Sequence, residues 1–146
     1  MFSREESARI RQEFWTSFGK SFPRKWLLYN TKIKGVSFKF VADRKKAQVC
    51  LDIENADEVF NELIYEQLLS LKTILTEEYL PEVIYDARYE LDNGKIIHRI
   101  YVNHEQKFSI HNKNTWRDCY EFFVEKMTQF ELFFFEYKDY ISQAVS

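Results

Sequence analysis

Glycine, proline and cysteine are all scarce in this chain, whose 146 residues include three Gly, two Pro and two Cys. Three glycines are too few for a glycine-rich phosphate loop, and the nucleophile-elbow, HExxH and CxxC motifs do not occur. Cys50 and Cys119 stand far apart, which indicates neither a disulfide framework nor a zinc knuckle. The sequence therefore carries no recognised catalytic motif, and we expect no cofactor.

Long apolar runs are also missing. Residues 1–6 contain no apolar segment of the kind found in a secretory signal, and no run approaches the length of a membrane span. We therefore expect a cytoplasmic protein that does not enter a membrane. The composition, 45% hydrophobic and 18% aromatic, excludes a disordered chain and predicts one folded domain over residues 1–146.

Acidic residues are rare in the first third of the chain. Residues 1–50 contain 12 Lys or Arg against 4 Asp or Glu, whereas residues 51–146 contain 9 against 19, for a net charge of −2. This polarity is typical of a basic surface for phosphates. It is equally compatible with two halves that neutralise each other, within the fold or across a dimer.

The segment from Thr115 to Ile141 has the strongest helical pattern. Large apolar side chains recur along it in steps of three and four residues, the spacing of one helix face. The stripe comprises Trp116, Tyr120, Phe123, Met127, Phe130, Phe134, Tyr137 and Ile141. Each contributes about 1.5–3 kcal/mol when fully buried, so we expect this helix to form the main core surface.

More aromatic residues occur in this helix than one stripe needs. The additional residues are Phe122, Phe133, Phe135 and Tyr140. They either pack beneath a neighbouring connector or form an exposed patch that joins a second copy or another protein. Self-association through the C-terminal helix is therefore one hypothesis.

Two hairpins and two further helices precede this segment. Ser3 and Glu6 form a capping-box pattern at the start of the first helix. Strand-like alternation follows in residues 36–40 and 47–53, and a helical stripe runs from Phe60 to Leu75. A second hairpin turns at Asn93-Gly94, a pair typical of a type I′ turn.

The order α-ββ-α-ββ-α predicts a two-layer α+β fold. We expect an antiparallel sheet of about four strands built from two hairpins, with the helices mainly on one face. The polar residues of the strands should then point away from the core. These residues are Asp52, Glu54, Arg88, Glu90 and Arg99.

A weak nuclease-like pattern involves Asp52 and Glu54. They share one face at the end of a strand, where metal-dependent nucleases place carboxylates that hold Mg²⁺. Glu105 and Lys107 add an E-x-K tripeptide, but it falls in a predicted loop. Three histidines within a short stretch, His98, His104 and His111, are spaced unlike metal ligands on an ordered turn. We interpret all of these residues as surface groups and assign no metal site.

The basic N-terminal third is the best candidate for a binding surface. Its candidate phosphate contacts are Lys20, Arg24, Lys25, Lys32, Lys34, Arg44, Lys45 and Lys46. Trp15, Trp26 and Tyr29 are interspersed with them, and flat rings stack on unpaired bases. The alternative is ordinary folding chemistry, with Trp15 in the core and residues 44–46 as a hairpin turn.

Several short motifs resemble those of an uncharacterised prokaryotic family, domain of unknown function 4268. They are Glu13-Phe14-Trp15, Phe18-Gly19, Pro23-Arg24-Lys25-Trp26-Leu27, Val41-Ala42-Asp43-Arg44-Lys45, Asn93-Gly94-Lys95, Arg99-Ile100 and Trp116. The resemblance covers nearly the whole chain. It also implies a context, because such domains occur C-terminal to restriction-endonuclease-like domains. No catalytic residue carries over to this chain from that resemblance.

These observations lead to three hypotheses. The first is a non-catalytic accessory module that binds nucleic acid, or a nuclease partner, through its basic N-terminal region. The second is a self-association or scaffold domain that uses the C-terminal helix. The third is a Mg²⁺-dependent nuclease-like enzyme that uses Asp52 and Glu54, with Glu105 and Lys107 as additional candidates.

Overall fold

Four α-helices and four strands make up the chain in the computed structural model, which describes residues 2–146. In chain order they are α1 (Arg4–Ser21), β1 (Val36–Ala42), β2 (Ala47–Ile53), α2 (Glu58–Leu69), α3 (Lys72–Glu78), β3 (Ile84–Glu90), β4 (Ile96–Asn103) and α4 (Trp116–Ser142). The predicted α+β fold, with an antiparallel sheet built from two hairpins, is confirmed.

The two hairpins join side by side into one open sheet with the order β1-β2-β4-β3. Antiparallel pairing of β2 with β4 sets Leu51 opposite Ile100 and Asp52 opposite Arg99. Because strand side chains alternate between faces, the first pair lies on the apolar face and the second on the other. α2 and α4 both pack on β2, and the placement of the helices mainly on one face stays a prediction.

The stripe of α4 lies in the hydrophobic core, as its spacing predicts. All its members are buried except Tyr137, which is half-buried. Phe38 of β1 packs between Phe130 and Phe134, with ring centroids 5.7 and 5.5 Å away. α1 joins the same cluster through Phe14, whose carbonyl accepts a 2.7 Å hydrogen bond from the Tyr120 hydroxyl. The capping box that starts α1 is also present.

The structure corrects two helix and turn predictions. The single helix expected from Phe60 to Leu75 is two helices, α2 and α3, which meet at Ser70 and Leu71. The Ser70 hydroxyl bonds the Gln67 carbonyl, and the Leu71 amide bonds the Leu68 carbonyl, so local bonds of shorter span replace the helical ladder.

The β3–β4 turn also differs from the predicted type I′ geometry. Gly94 has a φ of +87°, whereas Asn93 does not adopt a positive φ. The Gly94 amide bonds the Leu91 carbonyl at 2.8 Å, and the Lys95 amide bonds the Asn93 side chain at 2.9 Å. This pattern fits a three-residue loop, a type I turn followed by a left-handed glycine.

Gly35, just before β1, occupies a position that excludes a side chain. Its φ is +88°, and a Cβ there would lie 2.7 Å from the Cβ of Asn55. The Gly35 carbonyl also accepts a 2.8 Å bond from the Glu54 amide. Gly94 offers a matched comparison, because its φ is nearly the same but a Cβ there would have no neighbour within 4 Å.

We therefore predict that Gly35→Ala is more destabilising than Gly94→Ala. Placing an alanine in the left-handed region costs about 1–2 kcal/mol at either site, and only Gly35→Ala adds a clash with backbone atoms. Urea unfolding of both variants measures the difference. Equal losses would show that the chain at Asn55 moves aside freely.

Candidate nucleic-acid interface

Of the predicted basic residues that are exposed, the largest number lie in the connector between α1 and β1. We call residues 24–35 the basic loop; it contains four Lys or Arg and no Asp or Glu. Lys25, Lys32 and Lys34 are exposed and form no ion pair within residues 2–146. Their ammonium groups are therefore available to an anionic partner.

Hydrogen bonds to β1 hold the basic loop in one shape. The hydroxyl of Thr31, which is buried, donates to the Val36 carbonyl at 2.7 Å and accepts from the Ile33 amide at 3.2 Å. The Leu28 carbonyl accepts a 3.0 Å bond from the Phe38 amide. These contacts support two positive φ angles at non-glycine residues, +46° at Leu28 and +65° at Lys32. Such angles persist only where the surroundings fix the backbone.

Glu131 of α4 is a second anchor for the basic loop. Its side chain is only about 5% exposed and accepts a 2.7 Å bond from the Leu27 amide. Arg24 forms an ion pair with the same carboxylate, donates to the Thr128 hydroxyl at 2.9 Å and lies 4.0 Å from the Trp26 ring centroid. The guanidinium of Arg24 is therefore bound by groups of the protein itself, although its side chain is 43% exposed, and these contacts favour an anchoring role over a phosphate contact.

Two clefts border the basic loop. One, of about 480 Å³, is lined by Tyr29, Lys32 and Lys34. The other, of about 370 Å³, lies between the loop and α4 and is lined by Lys25 and Phe135. Each cleft therefore combines an aromatic ring with at least one exposed lysine.

The remaining predicted basic residues lie outside this loop. Arg44 and Lys45 occupy the β1–β2 turn, at the other end of β1. The seven residues of β1 span roughly 20 Å. Lys46 donates a 3.1 Å bond to the Tyr89 hydroxyl, and Lys20 is exposed on the last turn of α1. The basic loop thus contains Lys25, Lys32 and Lys34 together with the anchoring Arg24, whereas the other four predicted basic residues lie outside it.

Asp52 and Arg99 lie on the sheet face opposite that of Leu51 and Ile100, but they are buried there, at 0% and 4% exposed. The interpretation of Asp52 as a surface group is therefore wrong. Arg99 donates two hydrogen bonds to Asp52, at 2.7 and 2.9 Å, and Lys39 lies 3.2 Å from the same carboxylate. Full pairing makes their burial tolerable. Arg88 and Glu90 are exposed as expected, and Glu54 is half-buried.

A β-bulge in β3 places an aromatic ring against this ion pair. The register shifts between Asp86 and Tyr89, which turns Tyr89 to the face of Arg99 instead of the face of Tyr85. The Tyr89 ring then lies 4.3 Å from the Arg99 guanidinium. Burial alone would lower the pKa of Arg99, but its bonds to Asp52 raise that pKa.

The nuclease-like residues do not converge. Glu54 bonds Lys39 at 2.7 Å and Lys95 at 3.1 Å, so both it and Asp52 are occupied by cations. Glu105 and Lys107 are exposed beyond the end of β4, whose Asn103 pairs with Gln48 at the opposite end of β2 from Glu54. Within the described residues, no three His, Cys, Asp or Glu side chains form a group that could hold a metal ion. These contacts favour structural roles.

The three histidines contact different parts of the protein. His98 stacks on Tyr65 at 4.7 Å, His104 packs on Phe122 at 4.8 Å, and His111 lies 4.6 Å from Phe2. Burial lowers the pKa of His104, which keeps its imidazole neutral near pH 7. The arrangement supports packing roles for all three side chains.

Sequence reasoning did not identify the anchors of the basic loop. Glu131 interrupts an aromatic run, Phe130-Glu131-Leu132-Phe133, and a lone acid in such a run is a signal for a buried partner. Thr31 gives no comparable signal. Of the additional aromatic residues of α4, Phe122 and Phe133 are buried, whereas Phe135 and Tyr140 are exposed.

The fold and the loop together define an α+β domain with an exposed basic loop. The profile of one family, domain of unknown function DUF4268, matches residues 10–138, and the chain belongs to this family. Neither a curated protein nor a solved structure matches the chain. Within residues 2–146, no helix has both the length and the apolar character that crossing a bilayer requires. The cytoplasmic location stays a prediction.

We predict that the buried pair Asp52–Arg99 stabilises the sheet as a unit. Asp52→Asn and Arg99→Met should each lower the free energy of unfolding by about 3–5 kcal/mol, because each leaves a buried polar group without its partner. The double variant should lose less than the sum of the two. Urea unfolding followed by tryptophan fluorescence measures the cycle, and strictly additive losses would contradict the coupling.

Glu54 should contribute to stability in a pH-dependent way. Burial raises its pKa, but the hydrogen bonds from Lys39 and Lys95 outweigh that effect and lower it. The contribution is thus present above the unfolded-state pKa, about 4.3, and is lost as the pH falls through the folded-state value. Glu54→Gln should flatten the acid limb of unfolding free energy against pH. Glu77→Gln, at an exposed residue of α3, should leave it unchanged.

Proposed function

We propose that this domain is a non-catalytic accessory module that binds nucleic acid through the basic loop. The observation that carries the proposal is the set of three exposed lysines, Lys25, Lys32 and Lys34, on a loop that contains no acid and is fixed by bonds to β1 and α4. Lysines that neutralise phosphates release counterions, and this release drives binding. A fixed loop also loses little conformational entropy when it binds.

The carboxylates that line the two clefts are bound to groups other than these three lysines. Glu54 lines the Lys32–Lys34 cleft but is bound to Lys39 and Lys95. Glu131 lines the Lys25 cleft but is bound to Arg24 and the Leu27 amide. The association of related domains with restriction-endonuclease-like domains, implied by the sequence resemblance, agrees with a role beside a nucleic-acid-processing partner and stays a prediction.

The charge of the basic loop should determine affinity. We expect the triple variant Lys25→Gln/Lys32→Gln/Lys34→Gln to bind a fluorescein-labelled oligonucleotide more weakly than the native protein. The slope of log affinity against log salt concentration should fall by about 2, at about 0.7 per lost contact to a single strand. Fluorescence anisotropy between low and moderate salt measures both quantities.

A matched control removes the same charge elsewhere. Lys72→Gln/Lys107→Gln/Arg117→Gln changes three exposed cations outside the basic loop and should keep the native affinity and salt slope. If both triple variants weakened binding equally, affinity would depend on net charge alone and not on the basic loop. Absence of binding by the native protein at low salt would exclude the proposal.

A second candidate function is self-association through α4. Leu132 and Phe135 lie about one helical turn apart, and they are 52% and 60% exposed. An apolar pair of this kind is found in interfaces between copies of a chain. Sedimentation of the native protein and of Phe135→Ala tests this candidate. Self-association requires that the native protein forms a dimer and that the variant dimerises more weakly. A nuclease role for Asp52 and Glu54 gains no support from their contacts.

A further inference from the structure

The two most exposed aromatic rings within residues 2–146 border the basic loop. Tyr29 is 73% exposed and Phe135 is 60% exposed. Most other aromatic rings in the described chain are buried or half-buried in the core. Apolar surface is normally removed from water during folding, so two exposed rings at the same loop are candidates for contact with a partner.

Backbone contacts fix the position of Tyr29 on the surface. The Leu28 carbonyl is bonded to the Phe38 amide, and the Asn30 amide donates to the Leu27 carbonyl at 2.9 Å. Hydrogen bonds therefore fix the backbone of both residues next to Tyr29, from which its side chain extends to the surface. Phe135 projects from α4, one turn after Glu131, the residue that fixes the loop. Both rings stand on rigid supports.

Each ring also has its own cations. Tyr29 lines the cleft with Lys32 and Lys34, and Phe135 lines the cleft with Lys25. Each nucleotide of an unpaired strand likewise combines one flat base with one phosphate. Single-strand-binding proteins combine such a positive groove with aromatic rings on which successive bases stack. Lysine is depleted at the centres of protein–protein interfaces, so this arrangement favours a nucleic acid over a second protein.

We infer that the ligand is an unpaired strand of nucleic acid whose bases stack on Tyr29 and Phe135 while its phosphates contact Lys25, Lys32 and Lys34. This inference rests on the proposed function and narrows its ligand class. A duplex cannot satisfy the same site, because its bases are stacked on one another and hide their flat faces. Ring stacking tolerates any base, so the site is selective for single strands rather than for sequence.

The test compares strands and rings in one set of anisotropy titrations. The probes are labelled oligothymidylate, the corresponding oligouridylate, and the thymidylate strand annealed to oligoadenylate. The native protein should bind either single strand at least tenfold more tightly than the duplex. The thymidylate and uridylate arms decide between DNA and RNA, and either preference agrees with the inference. Equal or tighter binding of the duplex would overturn it.

Leucine substitutions isolate the contribution of the rings. Tyr29→Leu/Phe135→Leu keeps apolar bulk at both positions but should lose about tenfold or more in single-strand affinity, because stacking on each ring is lost. Its salt slope should equal that of the native protein, since no phosphate contact changes. Tyr29→Phe keeps the ring and should bind as the native protein does. Val59→Ala, at an apolar residue of α2 that is 63% exposed, is the matched control.

Different failures lead to different conclusions. If the lysine triple variant weakens binding but the leucine double variant does not, the proposed function holds and this inference is wrong. If the native protein binds neither strand nor duplex at low salt, both are wrong. If Phe135→Leu changes the sedimentation coefficient but not the affinity, the ring belongs to a protein interface, and the inference is again overturned. Should the double variant not fold, Tyr29→Leu alone, on an exposed loop, gives the same comparison.

Discussion

Packing of the aromatic stripe of α4 against the sheet is the interaction on which the rest of the structure depends. Phe38 of β1 lies between Phe130 and Phe134, and Phe123 contacts Phe40 with ring centroids 4.9 Å apart. α1 reaches the same helix through Phe14. Because 27 residues of helix supply so many core side chains, the sheet and the other helices are positioned relative to α4.

The same helix also fixes the basic loop. Glu131 follows Phe130 directly, so the helix turn that fills the core with an aromatic ring places a carboxylate at the edge of that core. There it binds Arg24 and the Leu27 amide. A buried carboxylate without these partners would be costly, which means that core packing and loop geometry are specified together. The backbone that carries the exposed rings and lysines is therefore fixed by its contacts with the core.

The sequence predicted those parts of the fold that depend on local periodicity. The stripe of α4 and the two hairpins follow from spacings of 3.6 and two residues. The buried pair Asp52–Arg99 could not be predicted, because it joins residues 47 positions apart and a charge looks solvent-exposed until its partner is known. The face on which Tyr89 lies could not be predicted either, because one bulge in β3 reverses the alternation of its side chains. The proximity of Phe135 to the basic loop could not be predicted either, because the loop is a connector whose sequence has no regular period.

Ion pairs within the fold compensate part of the charge asymmetry between the basic first third and the acidic remainder of the chain. Arg24 and Lys39, from the basic first third, pair with Glu131, Asp52 and Glu54 of the acidic remainder. These pairs neutralise part of the charge of each half within one fold. Lys25, Lys32 and Lys34 stay outside this compensation even though the chain as a whole carries a charge of −2. Since acids are abundant elsewhere in the sequence, a loop without a single one creates a local positive potential that net charge conceals. Local composition at the loop, rather than overall charge, is therefore the physical basis for its proposed affinity for phosphates.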